Sequence, residues 1–231
     1  MATSTSPQVP APSAREALLD AARVELAAHG HAHISLRAVA RRAGVSHAAP
    51  KYHFDDRAGL LTAVAAEGFE ALAVVLETAI RAPGRWPLAA LGKAYIDFGL
   101  ENPALFDLMF RPSELHPGDQ RLLDAQGRAL GVLASAVDDA SGSAASKADV
   151  EELSLTSWAL VHGLVVLVRD GALGPTAGAP GREAGADLAH RLADVFTARV
   201  FASVIDSPMG SDSGPPVAAR KGRPRRGAPV S

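Results

Sequence analysis

The chain has 231 residues, 48% of them hydrophobic, a formal net charge of −2 and a mean hydropathy of +0.09, values of a globular chain of one large or two small units. It has no cysteine, which excludes disulfides, thiolate metal sites, cysteine nucleophiles and redox sensing by thiols. The charge is segregated: seven basic against five acidic residues over 13–57, eleven against nineteen over 58–206, and five against one over 207–231. A basic head and a basic tail around an acidic body direct the two ends toward polyanions.

Residues 1–12 are uncharged and rich in Ser, Thr, Pro and Ala, and they lack the basic start and apolar core of a signal peptide. They read as a disordered N-terminus of a cytoplasmic protein. Ser13, Ala14, Arg15 and Glu16 form a capping box opening a helix to about His29, with Leu18, Leu19, Ala22 and Leu26 as its apolar stripe. His29, His31 and His33 would share a face if extended, but no nearby carboxylate completes a ligand set, so they read as a solvated link and no metal is expected. Ser35 caps a helix from Leu36 to Ala43. Gly44 stops it, Val45 wedges under both neighbours, and Ser46 caps the next helix. Pro50, about four residues on, costs that helix at most one hydrogen bond. The spacing of Ala40, Gly44 and Val45 fits a helix-turn-helix, motif about 36–55.

A long helix follows from Asp56 to about Ala82, ended by Pro83 to Pro87, with further helices at Leu88–Leu100, Pro103–Phe110 and Gly118–Ala140. Leu153–Val168 is the most apolar segment. At sixteen residues it is short of a membrane span, so a helix buried on most sides is expected and no membrane is involved. Asp149, Glu151 and Glu152 at its start and Arg169 at its end suit the helix dipole. After Gly171 and a Gly/Pro loop comes a last helix, about Arg182 to Ile205. The two final long helices are the expected dimer seam, through Leu164, Leu167, Leu192, Val195, Phe196 and Val200. No apolar alternation is sustained over a strand's length, so the chain is all-α, with about nine helices. Phosphate loops, nucleophile elbows and metalloprotease motifs are absent, and the chain reads as no enzyme, with no cofactor.

The run Ser35 to Leu61, with His53, Phe54, Arg57, Leu60 and Leu61 after the second motif helix, resembles the tetracycline-repressor (TetR) family of bacterial transcriptional regulators over roughly residues 13–73. Trp158, His162 and Gly163 are similar to the Trp-His-Gly motif of one class of C-terminal domains in that family. The resemblance implies a DNA-binding domain at 13–73, a ligand-binding and dimerisation domain at 74–206, a homodimer and a palindromic double-stranded DNA operator. It places His47, Ala48, Ala49 and Tyr52 near base edges, and Lys51, His53, Arg57 and the amide end at Ser35 near phosphates. Lys51 stands where the family usually has a tyrosine on a phosphate. A small-molecule effector is expected among Trp86, Tyr95, Phe98, Phe106, Phe110, Trp158 and His162. Residues 220–226 of the disordered basic tail 207–231 resemble an AT-hook, with Lys221 at its usual first core arginine and Arg223 in the minor groove; a plain basic tail is the competing reading. The expected function is a one-component repressor released by a largely apolar ligand. The alternative is an architectural or protein-partner-controlled DNA-binding protein.

Overall fold

The computed structural model describes residues 13–82, 87–142, 145–176, 178 and 181–206. The expected disordered ends, the tail segment with Arg223, and Trp86 lie outside the described residues.

Four helices build the head. Helix α1 (Ala14–His29) opens on the expected capping box: Ser13 Oγ accepts from the Glu16 amide at 3.2 Å, and the Glu16 carboxylate accepts from the Ser13 amide at 2.7 Å. At the start of α2 (Leu36–Ala43), Ser35 Oγ accepts from the Ala38 amide at 3.1 Å. Gly44 ends α2 at φ 67°, a left-handed conformation that glycine adopts without strain, and the Val45 amide reaches back to the Ala40 carbonyl at 3.1 Å.

Helix α3 (Ala49–Phe54) differs from expectation. It begins two residues later than the Ser46 cap predicts; Ala48 is its N-cap, and no side chain caps it. Pro50 explains the shift. It sits in the first turn, where an N–H has no intrahelical partner to lose, so it starts this helix instead of interrupting a longer one. The connection to α4 (Arg57–Arg81) is tight: Asp56 Oδ1 accepts from the Gly59 amide at 2.7 Å, and a Cβ on Gly59 would lie 2.0 Å from the Phe54 carbonyl oxygen.

The body consists of α5 (Pro87–Glu101), α6 (Pro103–Met109), α7 (Gln120–Ser141), α8 (Lys147–Arg169), α9 (Leu173–Thr176) and α10 (Arg182–Asp206). The single turn α9 falls in the expected Gly/Pro loop and brings the described α-helices to ten, with no strand among the described residues. Helix α4 belongs to both units: it packs on α1 and α3 in the head and on α5, α6 and α7 in the body. One apolar core therefore runs from Leu18 and Val39 through Leu61 and Leu72 to Ile96, Phe106 and Val165.

Helix α8 corrects a second expectation. By length and composition both α4 and α8 could cross a membrane, but 67% of the apolar stretch of α4 is buried in the chain against only 17% of that of α8. Far from being enclosed on most sides, α8 buries Leu164, Val165 and Val168 and leaves Leu155, Val166 and Leu167 exposed. Gly163 faces open space in the single chain: a Cβ there would meet nothing within 4 Å.

Candidate nucleic-acid interface and body cavity

Two features stand out, an exposed short helix at one end and a cavity in the body. On the head, His47, Ala48, Lys51 and Tyr52 are exposed, and Tyr52 is 84% accessible, an unusual exposure for an aromatic side chain without a partner surface. The Tyr52 ring stands edge-on to His53 at 5.0 Å. Ala49 is half-buried against the core, so its reach toward DNA is smaller than expected. Ser35 is exposed at the free amide end of α2. Beneath this surface the head is braced: Arg42 donates to the nearly buried Glu25 at 2.7 Å, a bond that holds the Glu25 carboxyl below its ordinary pKa, and Arg15 lies over the Phe54 ring at 5.2 Å. Arg37 and Arg41, exposed four residues apart on α2, were missed from sequence. Their i, i+4 spacing beside the motif is the signal that would have found them.

Arg57, expected on a phosphate, is committed elsewhere. Its guanidinium donates to the carbonyls of Ile34 (3.1 Å) and His31 and to the Glu114 carboxylate (2.7 Å). That bond holds the Glu114 carboxyl below its usual range. His31 adds a contact from Nε2 to Asp107 at 3.2 Å, and His116 one from Nε2 to Asp56 at 3.1 Å. These residues form a polar latch between the head and the segment α6 to Glu114.

The body holds a partly open cavity of about 340 Å³ between α4, α5, α7, α8 and α10. Phe69, Leu72 and Leu76 come from α4; Leu88, Leu91, Gly92 and Tyr95 from α5; Gln126, Ala129, Leu130 and Leu133 from α7. Ser157, Trp158, Leu160 and Val161 come from α8, Ala193, Phe196 and Thr197 from α10, and Phe110 follows α6. Of the expected pocket residues, Tyr95, Phe110 and Trp158 line it. Phe98 and Phe106 do not; both are buried in the core behind it. His162 also stands back from the cavity, stacked on Phe106 at 5.1 Å and edge-on to Phe110 at 4.6 Å. The wall from α10 was not expected: Phe196 read from sequence as a dimer residue.

Trp158 Nε1 donates to the Tyr95 hydroxyl at 3.0 Å, and that hydroxyl lies 3.0 Å from His162 Nδ1. Burial pushes the Tyr95 phenol up, so it stays protonated, and burial together with nearby Arg169 pushes His162 down, so its ring is neutral.

Of the expected dimer residues, Leu167 (43% accessible), Leu192 (38%) and Val195 (50%) lie on the surface. Leu164 is in the core, Phe196 lines the cavity and Val200 packs half-buried on the core. Helix period explains the division: α8 and α10 each turn some apolar residues inward and others outward, and the stripes overlap in sequence.

Residues 18–64 match the family model described as bacterial regulatory proteins, tetR family, and residues 88–196 match the model described as tetracyclin repressor-like, C-terminal domain. A structure of a protein with unknown function from Rhodococcus sp. RHA1 is similar at 31% identity and a TM-score of 0.70, with 82% of this chain and 96% of that one covered. The TetR family transcriptional regulator PfmR from Thermus thermophilus is similar at 18% identity and a TM-score of 0.56, covering 78% of this chain and 97% of that one. A SmeT–triclosan complex is similar at 21% identity and a TM-score of 0.54, covering 80% and 91%. The search of curated proteins found no match.

Proposed function

Because this chain belongs to the tetR family of bacterial regulatory proteins it is a DNA-binding transcription regulator and not an enzyme, and we propose that it acts in the cytoplasm as a homodimeric one-component repressor, released from a palindromic operator by a small, largely apolar molecule. The observation that carries this reading is the apolar cavity, whose wall at Phe110 adjoins the segment latched to the head.

In this reading α3 enters the major groove, with His47, Ala48 and Tyr52 toward base edges and Lys51, His53, Arg37 and Arg41 toward phosphates. Arg57 has no DNA role; it ties head to body. Two heads must meet major grooves about 34 Å apart, so any change of head tilt in a dimer alters affinity. A ligand acts only as far as it prefers the dimer whose heads miss that spacing. The seam is built from Leu167, Leu192 and Val195 with Leu155 and Val166, and the open space beside Gly163 admits the partner's helix. The SmeT–triclosan complex supports the ligand reading by its similar fold and by the triclosan in the complex with that protein.

The test is binding of the full chain to a duplex selected from random sequence, followed by anisotropy, with a panel of apolar metabolites and drugs. At least one compound should weaken operator binding about tenfold, and filling the cavity with Ala129→Trp should abolish that response while leaving operator affinity intact. A panel without effect on either DNA binding or melting temperature would instead favour an architectural protein that coats DNA.

A further inference from the structure

The cavity wall specifies more than apolarity. None of its lining residues is Asp, Glu, Lys, Arg or His, so a charged ligand would give up its hydration with no counter-charge to meet it. Its polar groups fall into two sets. Tyr95 and Trp158 are spent on each other and on His162, and the Thr197 hydroxyl donates to the Ala193 carbonyl at 2.9 Å. Gln126 and Ser157 are not spent. The Gln126 amide makes no hydrogen bond among the described residues, and Ser157 Oγ is buried with no partner.

Ser157 is the more telling. A buried helical hydroxyl ordinarily donates to the carbonyl four residues back, and Ser154 and Thr156 on the same helix do so, to Val150 at 2.6 Å and Glu152 at 2.8 Å. Ser157 beside them does not. An orphaned buried hydroxyl in the wall of an apolar cavity calls for a partner from within it. Gln126, on the facing helix α7, supplies a donor and an acceptor. The volume of about 340 Å³ is roughly twice the ~150 Å³ that admits a benzene, which suits a molecule of two rings.

Resting on the reading of this cavity as the effector site, we propose that the effector is an uncharged, mainly hydrocarbon molecule of about two-ring size. It bears one neutral hydroxyl, carbonyl or amide group, recognised by Gln126 and Ser157.

Naphthalene, 2-naphthol and 2-naphthoate at neutral pH differ in that group alone, and their binding to the full chain is read by calorimetry and thermal shift. Two hydrogen bonds predict 2-naphthol about tenfold tighter than naphthalene, with 2-naphthoate weaker than both. In Gln126→Leu/Ser157→Ala the advantage of 2-naphthol should fall to about twofold while naphthalene keeps its affinity. Ser157→Ala alone, which removes one oxygen and favours the helix, should cut that advantage by about threefold and carries the test if the double variant fails to fold. Naphthoate binding as tightly as naphthol, or an advantage of 2-naphthol undiminished in Ser157→Ala, overturns the ligand class and leaves the cavity reading intact. No binding by naphthalene or 2-naphthol overturns both.

Discussion

Lys51 and Tyr52 are neighbours on a six-residue helix, both exposed, and their chemistries divide the work of recognition. A lysine on a phosphate adds affinity on any sequence and releases a counterion; an exposed aromatic ring among base edges discriminates. Lys51→Ala should therefore weaken binding to all duplexes alike and reduce the slope of log affinity against log salt by about one, while Tyr52→Ala should change which operator is preferred. A salt slope left unchanged by Lys51→Ala would remove α3 from the DNA. The exposed helix that carries both residues was legible in the sequence because it follows from a local pattern. Arg57 was not: the groups it binds, at His31, Ile34 and Glu114, lie 26, 23 and 57 positions away, a separation no local pattern encodes. His162 carries a prediction of its own. Its folded pKa is lowered, so over the pH range below the ordinary value of 6.5 the unfolded chain binds the extra proton and stability falls as pH falls. Between about pH 7.5 and 5 the wild type should lose more melting temperature than His162→Gln, which keeps an uncharged polar group there. Parallel losses in the two would mean that the ring titrates freely in the fold.

Helix α6 is the element on which the parts converge. Met109 lies against α4 so closely that a Cβ on Gly68 would come within 2.7 Å of its sulfur, Asp107 faces His31 of the head, and Phe110 at its end forms cavity wall. A ligand that displaces Phe110 has α6 to push, and α6 has the latch to the head. Glu114→Gln keeps the size of the side chain and the bonds of Arg57 to the two carbonyls while removing the ion pair. It should leave operator affinity without ligand within about threefold, because exposed or half-exposed ion pairs contribute little to stability. The loss of operator affinity caused by a ligand should shrink severalfold. An undiminished ligand response in Glu114→Gln would assign transmission to α4 alone. The existence of α6 was legible from its proline start and its length; its position was not, since the sequence does not say that Pro103–Met109 packs between head and cavity. The same holds for the cavity. Its aromatic members could be named in advance, yet only the packing decides that Phe110 faces the space and Phe106 the core.

At the scale of the whole molecule, what is left to be covered is apolar surface. A chain of 23.8 kDa leaves Leu155, Val166 and Leu167 of α8 and Leu192 and Val195 of α10 exposed, on two helices that pack on each other. An exposed apolar patch of this kind marks an interface, and a two-fold axis covers it with its own copy. That axis is also what a palindromic operator requires, since one head alone reads one half-site. The apolar residues of α8 and α10 were legible in the sequence, but not which of their faces stay exposed, because burial within the chain and burial between chains use the same residue types. Leu167→Asp/Val195→Asp should leave the cavity and each head folded, as neither side chain contributes to the core. Light scattering should then fall from twice 23.8 kDa to 23.8 kDa at micromolar concentration. Operator affinity should drop about 100-fold or more, since the second head loses the effective concentration that its tether supplies. Binding to a single half-site should be unchanged. A variant that remains dimeric would move the seam to another face, and a monomeric variant that holds the full operator as tightly as the wild type would separate DNA recognition from dimerisation.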